Sequence, residues 1–303
     1  MRLFKLNIFF LLSILFFASC GKSYNEQKKL SIEDRKRLHT EDSLALKVAV
    51  MPTLDCMPIY VLKEKQLYDS LKLDIHPRFF NAQLDCDTAI INARVEGLVS
   101  DLVRTENLRK RGIRLDYLSS TNAYWQLFTN RMARLRKLNQ LGDKKIAMTR
   151  YSVTDYLTDR TMDTVKTKAM FYKIQINNVF VRLDMLLNNG IDALWLTEPQ
   201  ATVARIHNND ILRDSRDFKI NFGVLAFRSD LTRDKHRKAQ LKEFVKAYNL
   251  ACDSLNARGL AHYSNILKKY YKIDAVTINA LPKLKYKHIS APMSSDIRLA
   301  NKY

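Results

Sequence analysis

The chain has 303 residues, 47% hydrophobic and 10% aromatic, which excludes a disordered protein and allows one large domain or two modest ones. The 51 Lys and Arg residues outnumber the 31 Asp and Glu residues, which gives a net charge of +20. The basic residues are spread along the chain without a nucleic-acid-binding motif, so we expect a basic surface that favours anionic ligands and does not bind nucleic acid.

The first twenty residues have the pattern of a bacterial lipoprotein signal peptide. Arg2 and Lys5 form a basic start, and the apolar run Leu6–Phe17 is too short for an ordinary membrane span. Small residues then precede Cys20, which resembles the lipobox, where this cysteine is lipidated and becomes the mature N-terminus. We expect residues 1–19 to be removed and Cys20 to carry the lipid; an ordinary signal peptide that contains a cysteine here is the alternative.

Residues 20–45 are polar and charged, with few large aliphatic side chains. This composition predicts a tether, with a loose helix around Ile32–Leu44. Together, the lipidated cysteine and the tether predict a protein of the cell envelope. It would be anchored to a membrane through its lipid and would face the periplasm or the exterior.

The folded part begins with a strand, a polar turn and a helix. Apolar residues alternate in 46–50 and predict a short strand, which Pro52 ends. The turn Thr53–Cys56 follows, and Pro58 occupies the first turn of a helix, where proline is favoured. In open α/β sheets, ligands bind at such strand ends, so we expect this turn to form one wall of a binding cleft.

The alternation of strands and helices then continues along the chain. Strands are predicted at Leu73–Phe80, Leu98–Leu102 and Ile113–Leu118, with a helix over Asp85–Glu96 between the first two. The third of these strands ends in the polar turn Ser119–Asn122. Strands that alternate with helices predict a mainly parallel sheet with helices on both faces.

A second run of strands and helices follows the first. A strand at Lys144–Met148, a helix over Val153–Val165 and a strand at Ile191–Leu196 are predicted. The stretches Asp87–Leu102 and Arg182–Pro199 share an order of helix, glycine, apolar strand and terminal acidic residue. This architectural repeat predicts two similar α/β lobes.

The last part of the chain adds one strand and a helical tail. An apolar strand is predicted at Phe222–Phe227, and helices are predicted over Lys235–Leu255 and Leu260–Tyr271. A final short helix is expected to begin near Ser294. Two strand-rich repeats followed by a helical tail are typical of a bilobal binding protein.

Six motifs in this order resemble one family, the solute-binding proteins of ABC importers. The family serves nitrate, alkylsulfonates and taurine, and pyrimidine precursors of thiamine, and the resemblance covers about Leu46 to Asn301. The motifs are LKVAVMPTLDCMPIYVLKEKQLY, VEGLVSDL, LGDKKIAMTRYSVTDYL, LNNGIDALWLTEPQATVA, FGVLAF and LKEFVKAYNLACDSLNA.

This resemblance implies a type II periplasmic-binding fold, an α/β architecture of two Rossmann-like lobes joined by two crossover strands. Lobe 1 would comprise residues 46–126 and 224–303, and lobe 2 residues 127–223. The crossovers would lie at about Trp125–Asn130 and Ile220–Leu225. The implied partners are a small-molecule ligand and the permease and ATPase of an ABC importer, and the implied mechanism is closure of the lobes around the ligand.

The main predicted ligand contacts lie where the strand at Lys144–Met148 ends and a helix begins. Backbone N–H groups at a helix start and a guanidinium favour an anion such as a sulfonate, carboxylate or phosphate. The alternative is that the hydroxyl groups only cap the helix and that Arg150 points to solvent. The residues concerned are Arg150, Tyr151, Ser152 and Thr154.

Polar residues at other strand ends are expected to face the same cleft. Asp101 and Glu198 occupy equivalent strand ends in the two lobes, where carboxylates would suit the amine of a taurine-like zwitterion. The alternatives are ordinary turn chemistry and, for Glu198, an interaction with the start of its own helix. The full set is Thr53, Asp55, Asp101, Ser120, Thr121 and Glu198.

Cys56, Cys86 and Cys252 would lie in a compartment that permits disulfides. Adjacent parallel strands would bring Cys56 and Cys86 together, so a disulfide between them is possible, and separate buried thiols are the alternative. No cysteine or histidine spacing indicates a metal site, and no nucleotide-binding or hydrolase signature is present. We therefore expect no cofactor and no catalysis.

Two other functions are compatible with the same fold. The first is a ligand-sensing or scaffold lipoprotein that signals to a partner. The second is an enzyme of the menaquinone-pathway type, which the signal sequence disfavours because such enzymes are cytoplasmic.

Overall fold

The structure, a computed structural model, describes residues 32, 35–37, 40–67, 73–165, 167 and 169–303. The chain divides into two units, Met1–Ala45 and Leu46–Tyr303. The predicted signal peptide and Cys20 lie outside the described residues, as does part of the predicted tether. In the first unit, the described residues up to 44 are helical, in agreement with the helix predicted around Ile32–Leu44.

One five-stranded sheet combines the first four strands with the last. β1 (Leu46–Val50) is parallel to β2 (Ile75–Phe79) and β3 (Gly97–Asp101). β10 (Gly223–Arg228) runs antiparallel to β3 and to β4 (Leu115–Ser120). Four of the five residues of β1 are buried, as expected for a strand with helices on both faces. In spatial order the strands are β2 (Ile75–Phe79), β1 (Leu46–Val50), β3 (Gly97–Asp101), β10 (Gly223–Arg228) and β4 (Leu115–Ser120).

The second five-stranded sheet has the same topology, with its antiparallel strand again in the fourth place. In spatial order the strands are β7 (Tyr172–Gln175), β6 (Lys145–Met148), β8 (Ala193–Leu196), β5 (Gln126–Thr129) and β9 (Asp210–Asp214). β6 is parallel to β7 and β8, and β5 is antiparallel to β8 and β9. The sequence does not predict β7 because this edge strand is only partly buried and lacks an apolar run.

The helices follow the strands and cover the sheets. Several begin at a polar N-cap, such as Asp101, Ser152 or Asn178, so polar residues at strand ends decide where these helices start. The α-helices are α1 (Met57–Glu64), α2 (Gln83–Ile91), α3 (Leu102–Lys110), α4 (Val153–Met162), α5 (Val179–Leu187), α6 (Gln200–Ile206), α7 (Lys235–Arg258), α8 (Ser264–Ile266), α9 (Ala275–Ala280) and α10 (Ser294–Lys302). A π-helix spans Leu267–Tyr271, and 3-10 turns span Leu54–Cys56, Arg131–Ala133, Leu138–Leu141, Ser215–Phe218, Ser229–Arg233 and Leu260–Tyr263.

The chain passes between the two sheets twice. It leaves the first sheet after Ser120, enters the second at Gln126, leaves it after Asp214 and returns at Gly223. The crossovers predicted at Trp125–Asn130 and Ile220–Leu225 are therefore shifted along the chain. Part of each predicted segment belongs to a strand, β5 or β10, that lies within one sheet only. The segments that cross, 121–125 and 215–222, lie between the strands of the two sheets. The predicted α/β architecture of two lobes joined by two crossings is confirmed.

A buried apolar cluster joins the two lobes beside these crossings. It contains Val103 of α3 and Val224 of β10 from the first lobe, and Leu157 of α4 and Trp195 of β8 from the second. The last helix, α10, contributes Ala300 to the same cluster. The two lobes therefore share part of their core at the hinge.

Cys56 and Cys86 are separate buried thiols. The disulfide considered between them is therefore wrong, and the alternative of separate thiols holds. The thiol of Cys56 faces its own turn, where its Sγ accepts a hydrogen bond from Met51 N at 3.4 Å and contacts Thr53 Oγ1 at 3.6 Å. Adjacent turns are close in space, but the orientation of each side chain depends on its local backbone.

A glycine on β3 allows close packing that alanine would prevent. A Cβ atom at Gly97 would lie 2.5 Å from Cε1 of Phe227, so Gly97→Ala should lower the free energy of unfolding by about 1–3 kcal/mol. Urea unfolding measures this change. Gly190→Ala is the control, because its new Cβ would meet no atom closer than 3.5 Å. Equal stability of the two variants would contradict the packing argument.

Candidate functional site

A small cavity lies between the lobes, at the carboxyl ends of β1, β3, β6 and β8. Its volume is about 60 Å³. The strand ends of both lobes meet here, as the sequence predicts for a binding cleft. Its walls are formed by Met51, Thr53, Asp55, Gln83, Val99, Ser100, Asp101, Ala123, Trp125, Thr149, Ser152, Val153, Thr154, Val179, Arg182 and Thr197.

Half of the predicted ligand residues line this cavity. Thr53 and Asp55 come from the turn after β1, and Asp101 comes from the end of β3. Ser152 and Thr154 come from the start of α4 in the other lobe. Both lobes therefore contribute polar groups to one enclosed space.

The other predicted residues lie elsewhere. Arg150 and Tyr151 line a groove outside the cavity, and Tyr151 is 65% exposed. Ser120 and Thr121 line a separate cavity at the hinge. Glu198 is buried, and it accepts hydrogen bonds from Thr202 N at 3.0 Å and from the Thr202 hydroxyl at 2.6 Å in the first turn of α6.

Direct hydrogen bonds between the lobes surround the cavity and close it. They involve backbone groups on both sides, so closure does not depend on long flexible side chains alone. Leu54 N donates to Glu198 O at 2.9 Å, Gln200 Nε2 to Pro52 O at 2.9 Å, Val179 N to Asn81 O at 2.9 Å, and an Arg104 guanidinium nitrogen to Arg150 O at 3.3 Å.

Asp101 makes a further connection between the lobes. Its Oδ1 accepts hydrogen bonds from Arg104 N of its own lobe at 2.9 Å and from Val153 N of the other lobe at 3.1 Å. Burial raises the pKa of the Asp101 carboxyl to about 7, although nearby Arg104 acts in the opposite direction. This carboxyl group therefore occupies the helix start at which the sequence predicts an external anion.

The remaining donors at the start of α4 are also used within the protein. Thr154 N donates to Ser152 Oγ at 3.1 Å, and Tyr151 N donates to an Asp155 carboxylate oxygen at 2.9 Å. Ser152 thus caps the helix, and the Thr154 hydroxyl accepts a hydrogen bond from Thr149 N at 3.0 Å. A ligand must find its main donor elsewhere in the cavity.

Arg182 supplies such a donor, and the sequence analysis does not identify it. The residue lies on α5, lines the cavity and is only 7% exposed. Within the described part of the chain, its Nε has no hydrogen-bond partner and no carboxylate lies within ion-pair distance of it. Its one hydrogen bond is a long contact of 3.5 Å from a guanidinium nitrogen to Trp195 O.

The electrostatics around Arg182 favour an incoming anion. Burial lowers the pKa of Arg182 to about 10, and the charge of neighbouring Arg104 acts in the same direction. Arg104 forms an ion pair with Asp87, whereas Arg182 has no carboxylate within ion-pair distance among the described residues. One signal in the sequence could have identified Arg182. It is an arginine on the apolar face of α5, between Val179 and Leu183.

Two buried carboxyl groups, those of Asp55 and Asp101, line the same cavity as Arg182. Asp55 accepts a hydrogen bond from Thr121 Oγ1 at 3.2 Å, and burial raises its pKa. In the described residues, His, Cys, Asp and Glu side chains nowhere form a group of three that would hold a metal ion. The cavity therefore offers a cation and hydroxyl groups for an anion, and acidic groups for an amine.

Several solved structures of import proteins are similar to this chain over most of its length. A ligand-binding component of an ABC-type import system from Staphylococcus aureus has a TM-score of 0.70 at 16% identity, over 85% of this chain and 91% of that chain. The alkanesulfonate-binding protein SsuA from Xanthomonas axonopodis pv. citri has 0.70 at 14% identity, over 85% and 90%. The periplasmic nitrate-binding protein NrtA from Synechocystis PCC 6803 has 0.66 at 13% identity, over 78% and 68%.

The shared arrangement of two lobes around a cleft decides the fold. This is the periplasmic-binding-protein fold. The neighbours include sulfonate- and nitrate-binding proteins, the classes that the sequence resembles, and identities this low show the fold alone. No family model and no curated protein sequence matches the chain.

Among the residues that the structure describes, none of the helices has the length and the apolar composition that crossing a bilayer requires.

The Asp101 carboxyl group makes stability depend on pH. Its pKa is about 7 in the folded protein and about 3.9 in an unfolded chain, so the folded state retains a proton that the unfolded state has lost between these values. The contribution of Asp101 to the free energy of unfolding therefore falls as the pH rises from about 4 to about 7. Asp101→Asn should gain stability relative to the parent protein across this range, measured by urea unfolding at several pH values.

The control for this prediction is Asp184→Asn, which changes an exposed carboxylate on α5. Its difference from the parent protein should stay constant with pH. A constant difference for Asp101→Asn as well would contradict the raised pKa.

Proposed function

We propose that the protein is a lipid-anchored, extracytoplasmic solute-binding protein of an ABC importer. It would capture a small anionic or zwitterionic solute between its lobes. The observation that carries this proposal is the buried guanidinium of Arg182, which lines the interlobe cavity without a carboxylate partner among the described residues. A buried charge without a partner is unfavourable, and a bound anion would compensate it.

The dimensions of the cavity favour a small ligand. A water molecule requires roughly 10–15 Å³ of such space, so a cavity of about 60 Å³ has room for a few waters or a compact anion. A nitrate, a short sulfonate or a taurine-like zwitterion fits this description, with its anionic group at Arg182 and an amine toward Asp55. The similar structures bind a sulfonate in one case and nitrate in another, which supports the same classes here.

Closure of the lobes is the mechanism we propose. The ligand would bind to one lobe, and the crossings at 121–125 and 215–222 would then allow the second lobe to close over it. The closed form would dock on the permease, and the ATPase of the importer would drive transport. The proposed role involves binding and release only, without a chemical step or a cofactor.

Binding experiments on an arginine variant test the ligand site. We expect one compound among nitrate, methanesulfonate, taurine, pyrimidines and amino acids to bind the parent protein in a saturable manner by calorimetry. Arg182→Gln should weaken this binding about 10- to 100-fold, because a buried charge-assisted hydrogen bond is lost. Lobe closure should accompany binding in small-angle X-ray scattering.

Arg150→Gln is the matched control, since Arg150 is the arginine predicted from the sequence and it lines a groove and not the interlobe cavity. It should change the dissociation constant less than about threefold. The assignment is wrong if Arg150→Gln removes binding while Arg182→Gln retains it. A flat response to every compound in the set would count against the proposed function.

The lipid anchor has a separate test. We expect the mature protein, expressed in a bacterial host, to incorporate an alkyne-labelled fatty acid at Cys20 and to fractionate with membranes. Cys20→Ala should lose the label and the membrane association, whereas Cys252→Ala should keep both because its thiol is buried in the folded domain. Membrane association of Cys20→Ala without label would contradict the anchor.

A further inference from the structure

A second cavity lies at the hinge, separate from the cavity between the lobes. Its volume is about 270 Å³, larger than the interlobe cavity. It is bounded by both crossing segments and by residues of α7 and of the loop before α10. The side chains that matter for its chemistry are Tyr124, Arg216, Asn221, Tyr248, Tyr286 and Lys287.

Tyr248 lines this cavity with a hydroxyl group that the protein leaves without a partner. The side chain is only 4% exposed, and its ring packs beside Phe244 with the ring centroids 5.9 Å apart. Its hydroxyl makes no hydrogen bond to any residue that the structure describes. Burial raises the pKa of Tyr248, so this hydroxyl stays protonated and able to donate.

The other two tyrosines of the cavity have already used their hydroxyl groups. Tyr286 donates to Leu54 O at 3.0 Å, and Tyr124 donates to a Glu198 carboxylate oxygen at 2.9 Å. Both residues also line the cavity, and the Tyr248 hydroxyl is a polar group there without a hydrogen-bond partner among the described residues. This hydroxyl is accessible from the cavity, so an occupant that accepts or donates a hydrogen bond there would be stabilised.

Positive charge lies at the rim of the cavity. Lys287 is exposed, and no carboxylate in the described residues lies within ion-pair distance of it. Arg216 lies over the ring of Tyr124, with its guanidinium carbon 4.1 Å from the ring centroid, and it forms an ion pair with Asp214. The cavity thus combines three tyrosine side chains, a tyrosine hydroxyl and an exposed lysine that has no ion-pair partner among the described residues.

We propose that this hinge cavity is a second small-molecule site, which binds one flat aromatic anion. The ring of the ligand would lie between the tyrosine rings, its polar group would reach the Tyr248 hydroxyl, and its carboxylate would lie near Lys287. The site is distinct from that of the proposed solute, because Arg182, Asp55 and Asp101 do not line the hinge cavity.

An occupant of this cavity would contact both segments that change shape when the lobes move. It would also lie beside Thr121, whose hydroxyl donates to Asp55 in the interlobe cavity at 3.2 Å. The hinge ligand is therefore expected to stabilise one angle between the lobes and so to change the affinity of the cleft.

Calorimetry with 4-hydroxybenzoate and benzoate tests the proposal on the folded, unlipidated protein. The two probes differ only in the hydroxyl group expected to meet Tyr248. We expect 4-hydroxybenzoate to bind at one site with a dissociation constant on the order of 0.1 mM, about fivefold more tightly than benzoate. Tyr248→Phe should remove this preference and leave the affinity for benzoate nearly unchanged.

Two further variants locate the probe. Lys287→Gln should weaken both probes several-fold, whereas Lys283→Gln, which changes an exposed lysine of the same loop outside the cavity, should not. Arg182→Gln should bind both probes as the parent protein does. The proposal is overturned if neither probe binds below 10 mM, if Tyr248→Phe retains the preference, or if Arg182→Gln abolishes binding, which would place the probe in the cleft.

Discussion

One carboxyl group, that of Asp101, connects the two lobes at the cleft. It stands at the end of β3, caps α3 through Arg104 N and accepts Val153 N at the first turn of α4 across the cleft. Two helix starts favour a negative charge at this point, whereas burial opposes it, and the pKa of about 7 reflects the balance. The position of α4 relative to the first lobe, and with it the shape of the cavity, depends on this contact.

The cavity that results has one unusual feature, a buried guanidinium without a counter-charge. Arg104 has Asp87 as its partner, and Asp101 is engaged with two backbone N–H groups, so Arg182 remains uncompensated among the described residues. Such a group costs free energy in the empty closed form. An anionic ligand would remove that cost, which explains how closure and binding would be coupled.

The two lobes, most of the strands and the strand-end turns were predictable because their signals are local. An apolar run shows where a strand lies, and parallel strands place Thr53, Asp55 and Asp101 at one edge. The same rule predicted Arg150 as a ligand contact, because it also follows the end of a strand. This arginine lies outside the cavity, beside Tyr151, whose φ is positive at 56°. Arg182 lies within a helix, where no rule about strand ends points to it.

The alternation of strands and helices, the repeat of two α/β lobes and the polar character of the turns between them follow from the local sequence. These features depend on residues close together in the chain, whose spacing shows which face is buried. Which donors are free follows from the packed structure, because the partners come from distant segments: Asp101 accepts from Val153 N, and Thr121 donates to Asp55. A local pattern shows that a side chain is polar, and the packed structure shows whether the protein already satisfies it.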